Sequence, residues 1–140
     1  MNKYQQRLLD EWIQYGKIII AVDYDDTLAP WRLNSKEELK PLWELLKQCK
    51  YTGAYVTIFT ACDNSRYPEI LEYCKLMDFT PDSINQNPIS LPYGNQNKVY
   101  ANIFIDDRAG MNEAIQTLEF CLYKYRGWKI KQNLTEQNID

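Results

Sequence analysis

The sequence predicts an α/β protein with a parallel sheet covered by helices on both faces. Three observations carry this reading. Short apolar runs rich in strand formers alternate with segments of helical periodicity. The first run, KIIIAV at residues 17–22, has no polar alternation, as expected of a strand buried on both faces. Three runs end in Asp23, Thr60 and Asp106, which puts polar groups at the carboxyl edge, where open α/β sheets bind ligands.

Taken in order, residues 3–15 place Leu8, Leu9, Trp12 and Ile13 at helical spacing, with Gly16 at the C-cap position. After the first strand, APWRLN reads as a loop. Ser35 and Glu38 form a capping-box pattern ahead of the apolar face Leu39, Leu42, Trp43, Leu45, Leu46 and Cys49. Pro41 predicts that the main helix begins near Lys40, behind a separate turn. A turn at Thr52 and Gly53 leads into AYVTIFT, the second strand. Pro68 fits a first helical position, with Ser65 as the cap, before Ile70, Leu71, Tyr73, Cys74 and Met77. Residues 82–85 read as a third strand and 85–97 as a Pro- and Asn-rich loop. Lys98 opens the last strand, VYANIFI, which ends in Asp106 and Asp107. A final helix over 111–125 is followed by a polar tail, 129–140, expected to fray, so the domain spans residues 1–128.

At 140 residues one domain can bury a core without disulfides. The four cysteines, Cys49, Cys62, Cys74 and Cys121, form no CxxC pair, which speaks for reduced thiols and against zinc. There is no histidine, so acid–base chemistry falls to carboxylates. A net charge of −3 gives little support to nucleic-acid binding. No run has the length of a membrane span and the first residues hold no apolar signal core, so a cytoplasmic location without membrane contact is expected. Neither GxGxxG nor GK[ST] occurs, which removes dinucleotide and P-loop binding. Cys62 is followed by no arginine at the spacing of a thiolate phosphatase loop, and a receiver domain needs neither the DxDxT spacing nor a late acidic pair.

Asp23 and Asp25 leave an extended backbone on the same side, while Asp26 points elsewhere. Neighbouring carboxylates at a strand end are costly unless a cation or a shared proton relieves the repulsion. A single such Asp is most often a turn or helix cap. The order VDYDDTL, TIFT, a lone Lys98 and FIDDR is what departs from that bland reading.

That order resembles the haloacid dehalogenase-like phosphohydrolase superfamily, over residues 17–127, and within it small capless members with an IDDR ending. Phosphatase domains of polynucleotide kinase type share a similar DDR ending. The superfamily usually has Gly where this chain has Asp26. The resemblance implies a three-layer sandwich with a mostly parallel, Rossmann-like sheet and no independent cap domain. It implies a Mg²⁺-dependent phosphomonoester hydrolase working through an aspartyl phosphate. Asp23 matches the nucleophile and Asp25 the general acid/base. Thr60 and Lys98 match the phosphoryl-binding hydroxyl and cation. The metal site would take Asp23, the backbone carbonyl of Asp25 and Asp106, with Asp107 behind them or acting through water. Thr27 is read as support for the turn after the nucleophile. Arg66, Arg108, Trp31 and Asn85 are candidate substrate contacts, each with a surface, core-covering or turn-capping alternative; Asn87 lies near Asn85.

An open, capless site suits a phosphorylated small molecule, enclosed by a neighbouring subunit of a homo-oligomer, or the phosphorylated end of a polymer. Two alternatives stand beside this expectation: a nucleotide or polynucleotide end phosphatase, and a non-catalytic module that binds a phosphorylated ligand or partner.

Overall fold

The computed structural model describes residues 1–89 and 99–137. Lys98 and most of the loop before it lie outside the described residues. The order is α1 (Lys3–Tyr15), β1 (Ile19–Val22), α2 (Lys36–Tyr51), β2 (Tyr55–Ile58), α3 (Tyr67–Leu76), β3 (Ser83–Ile84), β4 (Ile103–Ile105) and α4 (Met111–Gln137). The four strands form one sheet in the order β3-β2-β1-β4, and every pair is parallel. This is an α/β fold with helices flanking a parallel sheet, consistent with a three-layer, Rossmann-like sandwich.

β1 is central and all four of its residues are buried. Ile18, just before β1, and the alternate β1 residues Ile20 and Val22 join Val56, Ile58 and Ile105 in a core supplied from every helix, including Trp12, Trp43, Ile70 and Leu118. Ile19, Ala21 and Thr57, on the other side of the pleat, are also buried. Large side chains dominate: Trp12 stacks on Tyr125 with ring centroids 4.7 Å apart, and Trp43 meets Phe79 edge-on at 5.6 Å.

Local signals place the helices. α1 starts at an Asn2 capping box and ends at Gly16, whose φ of 71° is the left-handed conformation a C-cap glycine adopts freely. Ser35 and Glu38 form the expected capping box. Four expectations need correction. α2 runs unbroken from Lys36 through Pro41; the proline withholds only the N–H that would have reached Glu37, an exposed residue near the helix start. Asp63, rather than Ser65, caps the 3₁₀ turn Asn64–Arg66, which precedes α3 and its early Pro68. α4 continues to Gln137, so residues 129–137 are exposed helix instead of frayed tail. The strand expected from Lys98 is confined to Ile103–Ile105. Among the described residues no second unit separates β1 from β2 or β2 from β3, and no helix is long and apolar enough to cross a membrane.

Candidate metal and phosphoryl site

The sheet itself carries the acids to one place. Asp23 N–H donates to Ile105 C=O at 2.9 Å, extending the β1–β4 ladder by a step and setting Asp23 beside the turn that begins at Asp106. Phe59 N–H donates to Val22 C=O at 2.8 Å and does the same on the β2 side, bringing Thr60 to that edge. One carboxylate oxygen from each of Asp23, Asp106 and Asp107 lies within 4.8 Å of the other two.

Beyond Asp23 the backbone wraps around a single carbonyl. Tyr24 C=O accepts from Thr27, Leu28 and Ala29 N–H at 3.3, 2.8 and 2.9 Å. This tight turn buries Thr27 completely. Its hydroxyl stands 3.1 Å from Asp23 Oδ2 and 3.1 Å from Asp107 Oδ1, and it accepts Asp107 N–H at 3.1 Å. Thr27 therefore supports the turn, as expected, and also joins the two acidic loops. Asp107 contributes one of the three clustered carboxylate oxygens.

Electrostatics follow from that crowding. Burial, then the hydrogen bond with Asp107, then the charge of Asp106 push the Asp23 carboxyl up to about 7, against the opposing hydrogen bonds of Thr27 and Tyr24. A cation among the three carboxylates would oppose this shift. The donor set is all oxygen and anionic, which fits a hard divalent ion such as Mg²⁺.

Asp26 is the residue whose role sequence reasoning missed. Its φ of 59° is the left-handed region that glycine enters freely and an aspartate adopts only occasionally. The Asp26 carboxylate is buried and accepts four consecutive backbone amides, from Trp31, Arg32, Leu33 and Asn34, at 2.9 to 3.2 Å. Asn34 Nδ2 donates in return to Asp26 C=O at 2.7 Å. Burial works to raise its pKa, but the Leu33, Asn34, Arg32 and Trp31 amides outweigh it and hold the carboxyl below its usual range. An aspartate just past a strand end, a few residues ahead of a short Pro-containing loop, is the sequence signal that could have suggested such a clamp.

The remaining candidates divide. Asp25 pairs with Arg66 at 3.4 Å, and Arg66 reaches Glu69 at 3.5 Å. Thr60 Oγ1 accepts Cys62 N–H at 3.3 Å, which leaves the hydroxyl proton available to another acceptor. Asn85 is a clamp and not a free substrate contact. Its Oδ1 accepts Thr60 N–H at 2.8 Å while its Nδ2 donates to Thr60 C=O at 2.7 Å and to the Tyr67 hydroxyl at 2.9 Å. Asn87 is likewise engaged, accepting Tyr100 N–H at 2.8 Å. Arg108 brings its backbone, with its N–H donating to Asp106 Oδ1 at 2.9 Å, and the residue is otherwise exposed. Trp31 is 59% exposed and covers no core; the Arg32 guanidinium lies 4.2 Å from its ring.

Neither a family model nor a curated protein matches the chain. Among solved structures, a conserved protein from Bacteroides thetaiotaomicron is similar over 66% of this chain and 77% of its own, at 26% identity and a TM-score of 0.55. That protein is described only as conserved, so the likeness speaks to the α/β fold.

Proposed function

We propose that this chain is a Mg²⁺-dependent phosphomonoester hydrolase of haloacid dehalogenase type, acting through an aspartyl phosphate on Asp23. The observation that carries the reading is the set of three carboxylates at the carboxyl edge of a parallel sheet, with Asp25 two residues beyond the central one. Three such groups disfavour an incoming phosphate dianion unless a cation joins them. Asp23, Asp106 and Asp107 would hold that cation. When bound, Mg²⁺ supplies positive charge to a phosphoryl oxygen and keeps the carboxylates ionised.

The chain's own groups then have definite work. An Asp23 carboxylate oxygen attacks phosphorus as the ester P–O bond breaks, giving an aspartyl phosphate and an alkoxide. The Asp25 carboxyl protonates that alkoxide. As a carboxylate it next takes a proton from water, whose oxygen attacks phosphorus and releases Asp23 and inorganic phosphate. The Thr60 hydroxyl donates to a phosphoryl oxygen, held in place by Asn85. Thr27 keeps Asp23 and Asp107 in fixed relation. Lys98 matches the phosphoryl-binding cation by sequence.

The test is hydrolysis of p-nitrophenyl phosphate, with and without Mg²⁺, by wild type, Asp23→Asn and Asp25→Asn. Turnover that needs Mg²⁺ and is lost in Asp23→Asn supports the reading. Turnover indifferent to chelation or to that substitution refutes it. Binding of inorganic phosphate without turnover of any phosphomonoester would favour a non-catalytic module.

A further inference from the structure

α4 carries two apolar faces instead of one. Leu118, Cys121, Leu122 and Tyr125 are buried against the core. At about 100° per residue, Tyr123, Gly127, Ile130 and Leu134 fall on the opposite side of the same helix. Tyr123 is 76% exposed, Ile130 60% and Leu134 55%. Their spacing of four, three and four residues is that of a helix-pairing seam. Gly127 sits within the stripe, and a Cβ built there meets no atom within 4 Å, so a second backbone could approach closely. A groove of about 290 Å³ between α2 and α4 continues the stripe onto the body of the protein; Pro41, Leu45, Leu122 and Tyr123 line it, with Gln48, Glu119 and Arg126 at its polar side.

Residues 129–137 extend α4 beyond its packed part and are exposed on every side, so nothing among the described residues covers Ile130 and Leu134. Charge selects among occupants. Residues 123–137 carry Lys124, Arg126, Lys129 and Lys131 against the single acid Glu136, although the whole chain has a net charge of −3. Lys124 and Lys131 flank one edge of the stripe and Arg126 the other, whereas Glu136 projects from the far side. Glu119, one heptad before Arg126 on the same edge, is the nearest acid to the stripe, so a second copy would still set Lys131 against Lys124 in an antiparallel pair or against Arg126 in a parallel one. We propose that this face docks an amphipathic helix of another protein, one whose apolar stripe is flanked by Asp and Glu. α4 leads away from the acidic turn at Asp106 and Asp107, so the surface recruits or anchors without entering the candidate site.

The probes are two synthetic helical peptides with the same Leu/Ile heptad seam, one flanked by Glu and one by Lys, titrated against the full chain by fluorescence anisotropy. The Glu-flanked peptide should bind at least tenfold more tightly, with an affinity that falls as salt rises. Ile130→Asp with Leu134→Asp should abolish binding while leaving circular dichroism and any phosphatase activity unchanged. Lys124→Glu with Lys131→Glu should reverse the preference between peptides. Equal binding of both peptides, binding that survives the Asp pair, or no binding of the Glu-flanked peptide overturns the proposal. So does sedimentation of the chain alone as a dimer that the Asp pair dissociates, which would make the occupant a second copy.

Discussion

The buried hydroxyl of Thr27 lies 3.1 Å from Asp107 Oδ1 and accepts the Asp107 backbone N–H at the same distance, although the two residues are 80 positions apart. A single threonine thus ties the loop after β1 to the loop after β4. Thr27→Val keeps the shape and leaves the Asp107 N–H without its acceptor, which should cost roughly 1–3 kcal/mol of stability. Mg²⁺ affinity should fall with it, and Thr27→Ser should restore most of both. Chemical denaturation and calorimetric Mg²⁺ titration of the three proteins test this.

The Asp23 carboxyl titrates near 7 in the fold against an ordinary value of 3.8. Between those values the folded, cation-free chain binds more protons than the unfolded chain, so its stability should fall as pH rises from about 4 to about 7. Asp23→Asn removes that penalty. Because Asp23 is partly open to solvent, the gain at neutral pH should be modest, about 1 kcal/mol or a few degrees in melting temperature. Melting curves across this range in EDTA should show the mutant flatter and more stable than wild type above pH 6. Added Mg²⁺ should stabilise wild type more than the mutant.

Cation binding displaces the same proton. Apparent Mg²⁺ affinity should therefore weaken as pH drops below about 7, approaching a tenfold loss per pH unit. Calorimetry at pH 8, 7 and 6 measures it, and in Asp23→Asn the dependence in this range should disappear along with most of the affinity.

The Asp26 clamp predicts a separable defect. Asp26→Gly tolerates the φ of 59° and deletes only the carboxylate that gathers the amides of residues 31–34. Hydrogen exchange at those amides should accelerate by about tenfold or more while the β1 amides stay protected. Asp26→Ala should be less stable than Asp26→Gly, because the alanine Cβ is strained at that backbone angle.

Asn85→Gly, which tolerates the φ of 54° at that position, should leave Mg²⁺ binding intact and slow turnover of p-nitrophenyl phosphate by roughly tenfold to a hundredfold, through loss of the clamp on Thr60. Steady-state kinetics should show the loss in kcat more than in KM.

What could be read from the chain was what neighbours along it determine. The unbroken Ile18–Val22 hydrophobicity, the Gly16 cap and the Ser35–Glu38 box each act within a few residues, and each is present. The acids at strand ends were legible for the same reason, since a parallel sheet brings those ends together. Contacts across long separations were not. Asn85 reaches Thr60 over 25 positions, and nothing local distinguishes it from a turn-capping asparagine. The sequence says of Asp26 only that it points away from Asp23 and Asp25, because its partners are backbone amides, which every residue offers. The end of α4 was misread because its second apolar face opposes the first, so the period that marks a one-sided helix cancels beyond Trp128.

The most direct test of the central claim is to mix Asp25→Asn with p-nitrophenyl phosphate and Mg²⁺, quench in acid and weigh the intact protein. p-Nitrophenolate leaves without a proton, so Asp23 can still be phosphorylated, whereas the water that clears it is no longer activated. The account predicts one phosphoryl adduct per chain, mapped to Asp23 and absent when Asp23→Asn is added. An unmodified protein that still releases p-nitrophenolate, or an adduct elsewhere than Asp23, would contradict it.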